Sequence, residues 1–425
     1  MPLTLSIDVI ITWTIIIMVG YFIIYNILCG QYSTTENLVN IPPLDKSNPK
    51  WTRTDTCKYY MNQTTYNALA DNNILQTTQH EEADVIFPCG YNEIDKEIRT
   101  LPNVYYNDNG PKRVFIIDGA DEITAKNYLW KNIIRHHGLQ RAKELSPNTY
   151  LLTEPYRSAD LVRLENDHYS GKMYILKKNI QRQTGLEITN DLNNIKNNKN
   201  GYVLVQELLQ DPYLVSGRKI NLRVYVVVVC HQESTDVYMF NNGFMYYTKQ
   251  LFVKGDNKPD NYITTGYVER DVYHKNPLTH NDFKRYLDMN EGDQYHETNP
   301  PRKLYPQEKL IREQGLLVSE VIFKRIEELL RDVFISFKGN ICRRRDERNN
   351  EVPIYYDYSI QIFGADVAIN DQLQPQIMEI NKGPDLNPKD DRDGRVKRKL
   401  VNNTLELLGV KSKSPTNGLI KILEM

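Results

Sequence analysis

Apolar positions fall into short runs between turn residues, and their spacing predicts strands for most of the chain. Residues 363–369 (FGADVAI) and 375–381 (PQIMEIN) read as two short buried strands. Asn370 and Asp371 lie between them, which predicts a hairpin. With its loop centred between Gln372 and Leu373, Ile369 faces Gln376 and Asp366 faces Glu379. Residues 203–209 (VLVQELL) predict a further strand, followed by turn signals at Asp211-Pro212 and Ser216-Gly217. The run 218–229 ends so rich in valine that it predicts a buried strand. Over 174–186 an apolar strand runs into Lys177-Lys178, a polar loop follows, and the apolar pattern restarts after Gly185. Residues 82–90 and 113–119 look like strands of an N-terminal α/β part. Residues 316–337 have the period of an amphipathic helix packed on the core, and 193–201 reads as a surface loop.

The start of the chain has a different pattern. Residues 9–28 carry no charge over about the length that spans a bilayer. Only Asp8 precedes this run, whereas Lys46, Lys50, Arg53 and Lys58 follow it. The expectation is therefore one transmembrane helix within residues 1–30, with the large C-terminal part facing the cytosol. A polar linker over 31–50, an N-terminal α/β subdomain over 51–150, a larger part over 151–410 and a tail over 411–425 complete the expected organisation.

The polar positions inside the apolar strands carry the chemistry. Side chains alternate along a strand, so Glu379 and Asn381 share a face, and Asp366 faces Glu379. Two carboxylates in low dielectric cannot both stay ionised without a counter-charge. Oxygen ligands of this kind suit Mg2+ brought in by a nucleotide. Lys219, Asn221, Arg223 and Tyr225 likewise share a face of the valine-rich strand. A polar row with two cations there is costly unless an anion sits against it. Lys177, at a strand end before the Gly185 loop, can reach nucleotide phosphates.

Composition changes little. The formal net charge of −1 gives no global field favouring nucleic acid. The five cysteines are odd in number, scattered and without metal spacing, and read as free thiols. The basic runs Arg343-Arg344-Arg345 and residues 395–399 suit either solvated surface or docking of an acidic protein tail.

Taken in order, these segments resemble the tubulin–tyrosine ligase-like family, which has the ATP-grasp fold. The resemblance rests on residues 174–186, on the stretch from Gln206 through Arg218-Lys219 to Arg223 and Tyr225, and on Phe363-Gly364 with Asp366, Glu379 and Asn381. An upstream Lys126 in a short helical segment also fits. It implies an α/β (α+β) ATP-grasp fold with an N-terminal α/β subdomain. It implies ATP and Mg2+ as cofactors and an ATP-dependent carboxylate–amine ligase that joins a free amino acid to a protein through an acyl phosphate. Asp366, Glu379 and Asn381 are then the metal set. Lys126, Lys177, Arg182, Gly185, Gln206, Glu207 and Lys219 are the nucleotide set. Arg223 and Lys219 are the catalytic cations, and Arg223 and Thr264 face the substrate. The implied acceptor is a protein with a flexible acidic segment, such as a tubulin tail.

The chain departs from the family pattern at three places. Asn221 stands where an aspartate is usual. Tyr262-Ile263-Thr264-Thr265 stands where a His-Leu-Thr-Asn segment is usual. Tyr246 falls near an expected arginine. Two other readings stay open: an inactive ATP-grasp module that binds tubulin or another acidic protein, and an ATP-grasp ligase of a small molecule.

Overall fold

In a computed structural model, the described residues are 41, 43–44, 48–54, 57–58, 60–90, 97, 112–180, 185–231, 234–264, 268–342, 344–345, 351–352, 358–412 and 417–425. They lie in one unit, Ile41–Met425. Its strands are β1 Lys50–Arg53, β2 Leu75–Gln76, β3 Val85–Phe87, β4 Arg113–Val114, β5 Thr149–Leu151, β6 Tyr174–Lys177, β7 Leu186–Thr189 and β8 Leu204–Glu207. Then come β9 Leu214–Val215, β10 Arg218–Cys230, β11 Thr235–Tyr247, β12 Arg344–Arg345, β13 Glu351–Val352, β14 Tyr358–Ile369, β15 Pro375–Lys382 and β16 Leu419–Glu424.

The valine run makes β10 the centre of the molecule. It pairs antiparallel with β11 on one side and β14 on the other. Val224 to Cys230 are all buried, as a strand covered on both faces requires. Val224, Val226 and Val228 share a core with Ile322, Ile326, Leu330 and Val333 of the helix Val318–Ile335. The apolar residues of that helix recur every three or four positions, so one stripe meets the sheet. Each fully buried valine or leucine contributes roughly 1.5–3 kcal/mol, so a charge at Ile326 would break this packing.

The sheet runs β16-β11-β10-β14-β4-β3-β1-β2, with β15 also on β14 and β9 on β10. The mixed α/β architecture expected from the pattern is thus present. The N-terminal strands β1, β3 and β4 are parallel to one another and extend the same sheet, because β4 pairs parallel with β14. A second sheet, β5-β8-β6-β7, stands apart with its own core around Tyr150, Tyr174, Leu176 and Val205. The last residues supply an edge strand, β16, on β11.

Three expectations are corrected. Residues 192–197 are a short helix rather than loop, because Asp191 caps it by accepting from the Asn193 amide at 2.8 Å. The cysteines are not all free thiols: Cys57 is bonded to Cys89 and Cys230 to Cys342, across Cα separations of 5.1 and 5.6 Å. The fold brings together pairs 32 and 112 residues apart, which their spacing does not reveal. The single-pass membrane placement is also withdrawn. Among the described residues no helix is long and apolar enough to cross a membrane, and the run 9–28 on which it rested lies outside them.

Candidate active site

The β14–β15 hairpin places two carboxylates opposite each other, by a route the pattern did not foresee. The loop pairs Ile369 with Pro375 and Ala368 with Gln376, one residue away from the expected register. A bulge between Asp366 and Val367 then lets Met378 enter as an extra residue, and Asp366 pairs with Glu379 after all. Gly364 pairs with Asn381 two positions on. The bulge also explains why Met378 and Glu379 are both half-buried while Ile377 and Ile380 face the core.

Arg223 reaches Asp366 from the other side, because β10 pairs Arg223 directly with it. Its Nε donates to Oδ1 at 2.6 Å and its Nη2 to Oδ2 at 3.1 Å, a bidentate fork. Gly364 is what makes room for it. A Cβ there would stand 2.9 Å from Arg223 Cδ. The guanidinium also lies 5.0 Å from the Tyr246 ring. Burial lifts the Asp366 carboxyl to about 6 against the pull of Arg223, and Glu379 beside it adds to the lift.

Lysines surround the second carboxylate. Lys126 Nζ is 3.7 Å from Glu379 Oε2 and donates to the Ile180 carbonyl at 3.2 Å. Lys177, at the end of β6, donates to Gln206 Oε1 at 2.7 Å. Gln206 is oriented in turn, since its Nε2 donates to Thr149 Oγ1 at 2.9 Å. Burial raises the Glu379 carboxyl, but Lys126, Lys177 and Arg223 outweigh it and hold the group below its ordinary range. Burial depresses the Lys177 ammonium to about 8, and Glu379 opposes that shift. Lys219 is depressed to about 8 by burial and by Lys177.

The structure therefore brings Lys126, Lys177, Gln206, Lys219, Arg223, Asp366, Glu379 and Asn381 into one neighbourhood. Gly185 closes the loop after β6: it sits at φ +94° and its carbonyl accepts from the Lys178 amide at 3.1 Å. Glu207 points elsewhere. Next to Gln206 on β8 it takes the opposite face, where it accepts from Tyr150 and pairs with Lys172. Thr264 is buried just after the helix Pro259–Tyr262. Arg182 and Thr265 lie outside the described residues. Asn179 was missed by the sequence reading. It accepts from the Lys126 amide at 3.1 Å and so fixes that helix start against the loop. Its place two residues after Lys177 was the available signal.

The donor set suits a hard divalent cation. Among the described residues no group of three or more His, Cys, Asp or Glu is placed to hold a metal. Mg2+ asks for less, since it keeps waters and takes one or two carboxylates beside substrate phosphates. Glu379 retains 25% of its side-chain exposure. Asn381 Nδ2 lies 3.4 Å from both carboxylates, long for a hydrogen bond and adjustable on binding.

The chain is similar to proteins named as tubulin glutamylases. A Tetrahymena thermophila protein named a probable beta-tubulin polyglutamylase is 24% identical over 309 residues, covering 70% of this chain and 24% of its own length. Mouse tubulin monoglutamylase TTLL4 is 23% identical over 297 residues, covering 68% of this chain and 23% of itself. Human tubulin polyglutamylase TTLL7 is 20% identical over 353 residues, covering 82% of this chain and 37% of itself. The chain thus spans less than two fifths of the length of these relatives. Residues 112–417, which include every residue of the site, match the tubulin-tyrosine ligase family, and the chain belongs to that family.

Proposed function

We propose that this chain is an ATP-dependent protein–amino acid ligase. The observation that carries the reading is the opposition of Asp366 and Glu379 beneath a set of buried cations. An acceptor carboxylate oxygen attacks the γ-phosphorus of ATP, the bond to the β–γ bridging oxygen breaks, and ADP leaves. The amine nitrogen then attacks the acyl carbon, the bond to the phosphate oxygen breaks, and phosphate leaves with loss of one proton from nitrogen.

The first step brings two anions together, so catalysis is mainly charge neutralisation and positioning. Glu379 and Asn381, with Asp366 behind them, would hold Mg2+, which neutralises phosphate charge when bound. Lys126 and Lys177 hold the nucleotide phosphates. Lys219 lies beside Lys177 and faces the transferred phosphoryl group. Arg223, fixed by Asp366, steadies the charge that builds on the acyl phosphate.

The acceptor is a protein with an acidic segment, and the relatives' names make tubulin the first candidate. The second basic run supports this only in part. Arg395 and the pair Arg398-Lys399 are exposed, but Lys397 is buried against Asp393 at 2.8 Å. Of the first run, Arg343 lies outside the described residues, while Arg344 and Arg345 form β12. Docking through exposed cations should weaken with salt, since screening acts over roughly 8 Å at physiological strength.

The test is incorporation of labelled amino acids into tubulin with Mg-ATP. Glu379→Gln should lower turnover by about 10²–10³-fold, the loss expected when one charge-stabilising group is removed. A near-normal rate in that variant overturns the assignment.

A further inference from the structure

We propose that Asn221 positions the neutral amine of the incoming amino acid, by accepting one of its N–H bonds. The inference rests on the ligase reading above. Asn221 sits on β10 between Lys219 and Arg223, and strand alternation gives all three the same face. The residue is only 7% exposed, yet its Oδ1 has no hydrogen-bond partner. A buried amide oxygen without a donor is costly and needs an explanation.

Among the described residues none donates to it. Asn221 pairs with Ala368 on β14, which offers only a methyl group from its side chain. It pairs with Tyr246 on β11, whose ring lies against Arg223. Arg223 is committed to Asp366 through Nε and Nη2. Lys219 Nζ and Arg223 Nη1 flank the oxygen without donating to it, so the donor is assigned to a ligand that enters between these two cations, where the acyl phosphate would form.

Chemistry favours an amine as that ligand group. An amine attacks as the neutral species, and cations on both sides favour loss of its extra proton. A carboxamide oxygen accepts an N–H bond without stabilising the ammonium, as a carboxylate would. Asn221 thus holds the nitrogen with its lone pair free. It touches the nucleophile but exchanges no proton, so it is a positioning residue.

Hydroxylamine separates the two half-reactions. It traps an acyl phosphate as the hydroxamate and needs no positioned amine site. Wild-type protein with tubulin and Mg-ATP should give hydroxamate with hydroxylamine and amide with a mixture of amino acids. Asn221→Ala should keep the hydroxamate yield and lose amide formation by about tenfold, the size of one ordinary hydrogen bond. It should also melt no lower than wild type, since it removes an unsatisfied acceptor. Asn221→Asp, which keeps the shape, should move the optimum of amide formation to higher pH by holding the amine as ammonium. Equal loss of both products in Asn221→Ala overturns the inference and gives the acceptor to the nucleotide. No loss of either overturns it as well. Absence of hydroxamate from wild type overturns the ligase reading itself, and this inference with it.

Discussion

Two regions of this protein bury a lysine almost completely, and they do so in opposite ways. On the helix Asp391–Leu407, Lys397 is 3% exposed and donates to Asp393 at 2.8 Å and to the Asn387 carbonyl at 2.7 Å. At the site, Lys219 is equally buried and has no anionic partner among the described residues. Lys177, 6% exposed, hydrogen-bonds a neutral amide, and Glu379 acts on it only through space. The first lysine is part of the fold's own bookkeeping of charge. The other two form no ion pair of their own among the described residues, and the proposed nucleotide would supply that counter-charge. Burial alone does not mark a binding residue; burial without an ion-pair partner makes one a candidate.

The largest expected effect breaks the compensated pair. Lys397→Ala leaves Asp393 buried beside an empty space, and removal of one partner of such a pair costs about 3–5 kcal/mol. Chemical denaturation should show that loss, while nucleotide affinity of the folded protein stays near wild type. A stable variant would mean that the two regions do not differ as described.

Next in size is the contrast between neighbours in sequence. Lys177→Ala should weaken nucleotide binding by roughly 10–100-fold, the value of a hydrogen bond to a charged group. Lys178→Ala should change it little, since Lys178 Nζ lies 5.4 Å from the Tyr202 ring in the smaller sheet's own core. Fluorescence titration of both variants decides, and equal losses would sink the uncompensated-lysine argument.

The smallest effect is a pH dependence. Lys177 and Lys219 are depressed to about 8 in the folded chain, against an ordinary value of 10.5. Between these values the unfolded chain holds protons that the folded chain has lost, so stability rises with pH. Their destabilising contribution is fully present below 8 and relieved as pH approaches 10.5. Nucleotide affinity runs the other way. It needs the ammonium forms, so it should fall above pH 8, by up to about tenfold per unit per lysine. Calorimetry at pH 7, 8 and 9 reads both trends, and an affinity that is flat across this range would contradict them.

The hydropathy pattern carried much of the site. Valine spacing located β10, and alternation along it put Lys219, Asn221 and Arg223 on one face. The hairpin geometry placed Asp366 opposite Glu379, although a register error in the loop and a bulge at Met378 cancelled to give that pairing. Glu207 could have been excluded from the same rule, because adjacent strand residues cannot share a face. Other features were invisible for physical reasons. The room that Gly364 leaves for Arg223 depends on how closely two strands approach. The pairing of Lys397 with Asp393 hid one cation of a run that looked uniformly exposed. Both disulfides join residues that only the tertiary fold brings together.

The central claim is that Asp366, Glu379 and Asn381 form a metal-dependent nucleotide site against Lys126 and Lys177. Titration of ATP into the folded protein, with and without Mg2+, in wild type and Glu379→Gln, tests it most directly. Binding should be tight and Mg2+-dependent in wild type, and should lose that dependence in the variant. ATP binding that ignores Mg2+ in wild type, or that keeps the same dependence in Glu379→Gln, would contradict the claim.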